Sequence, residues 1–285
     1  MRMNYAVLAK NTMPVLLLMT LFNLTSCSQA PLGLQLYTFR NEIPKDVPGT
    51  FEKISKMGFR YLEGGGTYGM EPAAFKQMLE KNKLTIVSVG ADFNELDSNV
   101  QKVADRAKLF NAPFVVCFWI PHNGQEFGIT EINKSIEVFN RAGQYLKSQG
   151  LSLCYHPHGY EFRPYEKGTL FDELVKKTNP EFINYEMDVF WVKQGGGDPV
   201  TLINKYPNRF PLFHLKDRKI GTIGNPNGTG EDESNVVLGE GDVNIKEIKK
   251  ASSKLKGVKY YFIEDESPSA MEQVPKSILY WNSLK

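Results

Sequence analysis

Pro113-Phe114-Val115-Val116-Cys117-Phe118-Trp119-Ile120, then a helical pattern from Thr130 to Ser148, then Leu151-Ser152-Leu153-Cys154-Tyr155, is the stretch that decides the fold. An apolar run of strand length, a long amphipathic segment and a second apolar run make one βα repeat followed by its next strand. Gly150 stops the helix and Thr130 opens it as an N-cap.

The same alternation extends in both directions. Upstream lie Leu32–Tyr37, a helix over 46–57, Phe59–Glu63, a helix over 71–81, Leu84–Val89 and a helix over 96–110. Downstream come a helix over 169–178, Phe182–Asp188, a helix over 199–205, Phe210–Asp217, a helix over 244–254, Val258–Glu264 and a helix over 270–284. Eight strands alternating with eight helices predict an α/β protein, a closed (β/α)8 TIM barrel. No Gly-x-Gly-x-x-Gly follows the first strand, which argues against a dinucleotide-binding sheet. The polar loop Gly221–Asn235 is long enough to serve as a lid.

The first residues read as a targeting segment. Arg2 and Lys10 precede the apolar run Val15–Phe22, and Leu24-Thr25-Ser26-Cys27 places small residues before a cysteine. This predicts a lipoprotein signal peptide over 1–26, lipid attachment at Cys27, a short linker over 27–31 and one barrel domain over 32–285. The expected location is outside the cytoplasm, with the membrane reached through the lipid anchor only. Removing 1–26 takes two positive charges from a chain of net charge +2 and leaves a neutral body. That argues against a nucleic-acid partner. Cys117 and Cys154 remain, both inside apolar runs, and read as buried free thiols.

In such barrels chemistry sits at the C-terminal ends of the strands. Those ends supply Gln35, Tyr37, Arg40, Glu63, Trp119, His122, His156, His158, Glu161, Glu186, Asp188, Trp191, His214, Lys216, Asp217, Glu264 and Glu266. Glu161, Asp188, His214 and Glu264 are the natural metal set. Three carboxylates and an imidazole suit Mn²⁺, Zn²⁺, Mg²⁺ or Co²⁺. Asp188 and Glu186 share a strand face, so one can bind while the other orients.

Gly33-Leu34-Gln35-Leu36-Tyr37-Thr38-Phe39-Arg40, the run Tyr155-His156-Pro157-His158 through Glu161-Phe162, Met187-Asp188 with Trp191, His214-Leu215-Lys216-Asp217 and Phe262-Ile263-Glu264 together resemble the sugar phosphate isomerase/epimerase family of xylose isomerase-like barrels. The resemblance runs from about residue 32 to the end. It implies one divalent metal ion held by Glu161, Asp188, His214 and Glu264. Many relatives carry the first of these carboxylates inside the fifth strand, where this chain has Cys154 or His156; Glu161 is the candidate replacement.

The chemistry implied is proton abstraction α to a carbonyl. Glu161, Glu264 or His158 serves as base and Lys216 steadies the developing oxyanion, while Gln35, Tyr37, Arg40, His122, His156 and Trp191 bind the sugar. An exported protein with no phosphate-binding glycine motif points to a keto sugar or 3-keto-glycoside. The outcome is isomerisation or epimerisation, or else elimination or hydration (lyase or hydratase). Two other classes compete: a non-catalytic carbohydrate-binding lipoprotein on the same barrel, and a DNA-repair endonuclease, which would need more metal-binding histidines and a basic face.

Overall fold

The computed structural model describes residues 29–284; the signal peptide and Cys27 readings lie outside those residues. No helix among the described residues is long and apolar enough to cross a membrane.

Eight parallel strands close a barrel: β1 (Leu32–Gln35), β2 (Tyr61–Glu63), β3 (Thr85–Ala91), β4 (Phe114–Cys117), β5 (Ser152–Tyr155), β6 (Ile183–Asp188), β7 (Leu212–Leu215) and β8 (Tyr260–Ile263). Each pairs with its sequence neighbours, and β1 closes on β8 with Gly33 opposite Phe262. Around them lie α1 (Val47–Lys56), α2 (Pro72–Lys81), α3 (Phe93–Ser98), α4 (Val100–Leu109), α5 (Ile129–Ser148), α6 (Leu170–Lys177), α7 (Val189–Gln194), α8 (Pro199–Lys205), α9 (Ile245–Ser252) and α10 (Ala270–Ser283).

Alternation along the strands splits the apolar residues into two layers. One set, including Leu34, Leu62, Val115, Leu153, Tyr185, Phe213 and Tyr261, packs outward under the helices. The other, Val87, Phe114, Val116, Cys154, Leu212 and Phe262, fills the barrel interior. Gly33 makes room for that plug: a Cβ there would stand 2.7 Å from the Phe262 ring and 2.7 Å from the Tyr61 carbonyl oxygen. Farther along the same strand faces, toward the C-terminal ends, lie Gln35, Glu63, His156, Glu186, Asp188, His214 and Glu264, all buried. The apolar plug is thus the floor of a polar chamber.

The helix expected to open on Thr130 starts at Ile129 with Gly128 as its N-cap, and two further elements depart from the pattern expected of the sequence. The single helix over 96–110 is two, broken at Asn99, whose backbone (φ −150°, ψ 55°) is not helical. Asp92 starts α3 early by accepting from the amides of Asn94 and Glu95, and Ser98 and Asn99 are residues whose side chains compete with helical hydrogen bonding. Trp191, counted among the strand ends, lies instead in α7, which begins at Val189 directly after the strand. Asp188 is its N-cap, with Oδ1 accepting from Trp191 N at 2.8 Å.

The long loop after β7 is tied down at both ends. Asp217–Arg218 pairs antiparallel with Asn235–Val236. The Asp217 carboxylate accepts from the amides of Gly239, Gly241 and Val243. Arg163 donates to Pro226 O at 2.9 Å, and Gly230 lies against the Trp191 ring. The loop expected to serve as a lid is thus pinned beside Trp191 and lines no part of the cavity described below.

Candidate metal centre

Asp188 ends β6 with its two oxygens in different service. Oδ1 caps α7, while Oδ2 is buried and has no hydrogen-bond partner among the described residues. An ionised oxygen left so is costly unless something else faces it. Facing it are two imidazoles, His156 Nε2 at 3.7 Å from just beyond β5 and His214 Nδ1 at 3.9 Å from β7, with the Lys216 ammonium 4.0 Å away. Glu264, next after β8, brings Oε2 to 3.2 Å from His214 Nδ1. Ligands bound at about 2.0–2.2 Å in a tetrahedron stand roughly 3.3–3.6 Å apart. His156, Asp188 and His214 therefore bring three donors within reach of one divalent ion, with Glu264 beside His214, and the Asp188 oxygen without a hydrogen bond marks where it would be held.

The far side of each imidazole is braced. Glu186 Oε2 lies 3.1 Å from His156 Nδ1 and 3.1 Å from His214 Nε2. Glu63 Oε1 sits 2.5 Å from His214 Nε2 and accepts from Gln35 Nε2 at 2.8 Å. Carboxylates behind the ligating histidines fix the tautomer and aim the free lone pair inward. Burial drives the Glu186 carboxyl well above its usual range, and the neighbouring Glu63 adds to the shift. His156 is pushed well down by burial and by the positive charge of His214, so it is a neutral donor. Burial also opposes charge on His214, but Glu186, Glu264 and Glu63 outweigh it and hold the ring as imidazolium. A cation entering the chamber would take that proton's place.

Lys216, fully buried, completes the balance of charge. Its ammonium donates to Glu264 Oε2 at 3.3 Å and contacts Glu266, with the ring faces of Phe190 and Trp191 each 5.2 Å away. Burial works against ionisation of Glu264, yet Lys216 and His214 keep its carboxyl well below the normal range.

The chamber opens into a cavity of about 350 Å³ lined by Gln35, Tyr37, Phe118, His156, His158, Trp191, Glu264 and Glu266. His158 is the free base here: Nδ1 is buried without a partner, and burial, aided by Lys216, lowers its pKa to about 4.

The structure moves several residues from the roles the sequence suggests. The Glu161 carboxylate is not among the groups brought together around Asp188. Its carboxylate accepts from the amides of His158 and Gly159, both at 3.1 Å, and from the Tyr155 hydroxyl. It folds back under its own loop because Gly159 (φ +102°) reverses the chain there. The fifth-strand side chain that faces Asp188 is His156. Arg40 does not line the cavity; it donates to Asp232 at 2.8 Å and to Glu266 O at 2.9 Å, fastening the long loop beside Tyr37. His122 stacks on Trp119, with ring centroids 4.5 Å apart, and Nδ1 faces Ile120 O. Lys216 lies behind Glu264 and Glu266, not at the cavity surface. Gln35, Tyr37, His156, His158, Trp191 and Glu264 do line it. Glu63 and Phe118 gain roles the sequence did not assign; the pairing of Gln35 with Glu63 across β1 and β2 is visible only once the register is known.

A family model described as xylose isomerase-like TIM barrel matches residues 51–282. The chain belongs to that family. Its relatives include an inosose dehydratase of Geobacillus kaustophilus, 22% identical over 202 residues, which are 60% of this chain and 65% of that protein. The match thus spans less than two thirds of the relative. A sugar phosphate isomerase/epimerase from Parabacteroides distasonis superposes with a TM-score of 0.73 at 26% identity, covering 92% of this chain and 97% of the other. The IolI protein with a bound zinc atom shares the fold at a TM-score of 0.70 and 13% identity, over 89% of this chain and 97% of that one. Barrels of this family thus occur under both dehydratase and isomerase/epimerase names.

Proposed function

We propose that this protein is a divalent-metal-dependent enzyme that draws a proton from the carbon α to the carbonyl of a keto sugar or 3-keto-glycoside. The observation that carries the reading is Asp188 Oδ2, buried and unpartnered between His156 Nε2 and His214 Nδ1. Two imidazoles with two carboxylates form a more nitrogen-rich set than the sequence suggested, favouring Zn²⁺, Mn²⁺ or Co²⁺ over Mg²⁺. The zinc bound by the structural neighbour accords with this. When bound, the ion polarises a carbonyl oxygen and so acidifies the adjacent C–H.

The chain's own residues supply the rest. His158, neutral, lining the cavity and with Nδ1 buried and unpartnered, is the base. Glu264 and Glu266 are held by Lys216, which steadies charge at the site through them. Tyr37 and Trp191 offer ring faces to the sugar, and Gln35 is fixed by Glu63. The proton step is common to isomerisation, epimerisation, dehydration and hydration, so it agrees with both names found among the relatives.

The protein is also proposed to be exported and lipid-anchored at Cys27, on the strength of Leu24-Thr25-Ser26-Cys27 behind an apolar run. Incubation of the metal-loaded protein with 3-keto-glycosides in D₂O tests the chemistry: deuterium should enter the carbon α to the carbonyl, and the product identifies the outcome. No incorporation with any keto sugar, and no ion retained by the purified protein, would leave a carbohydrate-binding role instead. Mass spectrometry of the N-terminal peptide tests the anchor.

A further inference from the structure

The barrel face opposite the cavity carries an uneven charge. That face is built from the loops that lead into the N-terminal ends of the strands. The loops entering β8, β2 and β3 hold Lys254, Lys256, Lys259, Arg60 and Lys83, all exposed, and no acid. The loops entering β4, β5, β6 and β7 hold no exposed base; Glu181 is exposed, and Arg209 is buried against backbone carbonyls. None of the five exposed bases forms an ion pair among the described residues; Arg60 donates only to the carbonyls of Ser55 and Phe59.

Compensation of helix dipoles does not account for this. Lysines in last helical turns occur on both halves, as at Lys56, Lys81, Lys147 and Lys205. The five loop bases lie beyond the last turns and on one half alone. In barrel order, β8, β1, β2 and β3 are neighbours, so the bases flank the strand by which the chain enters the fold. Pro31 O accepts from Tyr261 N, two residues after Lys259. Exposed acids gather at the other end, as at Glu231, Asp232, Glu233 and Glu240.

We infer that this half-face, Arg60, Lys83, Lys254, Lys256 and Lys259, is a docking surface for an anionic phospholipid membrane, seating the barrel with its cavity turned away from the bilayer. Clustered bases of this number bind anionic headgroups over about a Debye length, near 8–10 Å at ordinary salt. A membrane is favoured over other polyanions by where the chain enters. The apolar run Val15–Phe22 and Cys27 precede β1, and Cys27 is five residues from Leu32, a contour of about 17 Å at most. Any anchor there holds this face, and no other, against the lipid.

The test is partitioning of the full chain onto vesicles of pure phosphatidylcholine and of phosphatidylcholine with 30% phosphatidylglycerol. The apolar leader contributes to both, so the preference for anionic vesicles reads the face. The wild type should prefer them at least tenfold at low salt and lose that preference in 0.5 M NaCl. Lys254→Glu/Lys256→Glu/Lys259→Glu should abolish the preference, whereas the equal charge change Lys45→Glu/Lys167→Glu/Lys219→Glu at the cavity end should keep it. Circular dichroism and retained metal binding show that each variant is folded. Equal partitioning of the wild type on both vesicles, equal loss in both triple variants, or a preference that persists in 0.5 M NaCl would overturn the inference. So would discrimination between the two triple variants by duplex DNA but not by vesicles. None of these outcomes depends on whether the cavity turns over a sugar.

Discussion

His156 and His214 are held from behind by the same atom: Glu186 Oε2 lies 3.1 Å from a ring nitrogen of each. One carboxylate oxygen therefore sets the aim of two imidazoles reaching Asp188 Oδ2 from different strands. The Glu186→Ala variant removes that oxygen from behind both rings at once. Metal affinity should fall roughly 10–100-fold, the usual effect of losing such a bracing group. Competition for Zn²⁺ against a chromogenic chelator measures it. Unchanged affinity would mean that the histidines are aimed by something else.

The fifth-strand donor can be decided by a pair of variants. His156→Ala should lower metal affinity by more than the Glu186 change, since it removes a donor outright. Glu161→Gln should leave stoichiometry near wild type, because the Glu161 carboxylate is engaged with Tyr155 and two backbone amides. Asp188→Ala should abolish binding, since Asp188 Oδ2 is the one oxygen set against both imidazoles. Metal content by inductively coupled plasma mass spectrometry distinguishes the cases. Loss of metal in Glu161→Gln with retention in His156→Ala would reverse the assignment.

The barrel was legible because eight apolar runs alternate with helical stretches, and strand ends name the rim. That Asp188, His214 and Glu264 lie together at one end of the barrel follows from that rule alone. The choice between His156 and Glu161 does not, since five residues separate them and the answer depends on Gly159 turning the loop beneath itself. Likewise the bracing role of Glu63 needs the barrel closed: His214 is 151 residues away in sequence and meets it across the chamber. Arg40 and His122 share the rim with cavity residues, but their neighbours Asp232 and Trp119 draw them aside.

Glu161 also gives the protein a dependence of stability on pH. Burial raises its pKa from 4.5 to about 7, while Tyr155 and the amides of His158 and Gly159 act in the opposite sense. Between about pH 4.5 and 7 the folded chain thus binds more protons at this residue than the unfolded chain. Stability from this group is full below pH 4.5, falls as pH rises through that window, and levels off above it. The full effect of about 2.5 pKa units is on the order of 3 kcal/mol. Urea midpoints of wild type and Glu161→Gln, followed from pH 4.5 to 8, should converge or cross as the wild type loses this contribution. Parallel curves would show that Glu161 does not titrate in the window.

Packing beneath the chamber should be as consequential as the ligands themselves. Phe262 lies under His214, ring centroids 6.2 Å apart, and its ring fills the space a side chain at Gly33 would take. Gly33→Ala puts a methyl 2.7 Å from that ring and from the Tyr61 carbonyl. Neither neighbour has room to withdraw, because the plug is closed by Val87, Phe114, Val116 and Leu212. The expected cost is about 1–3 kcal/mol of stability, typical of overpacking a filled core. Because the strain bears on the ring directly below His214, metal affinity should fall as well, although residue 33 touches no ligand. Thermal melts with and without added Zn²⁺ separate the two effects: a lower melting temperature with an undiminished shift on adding metal would confine Gly33 to packing.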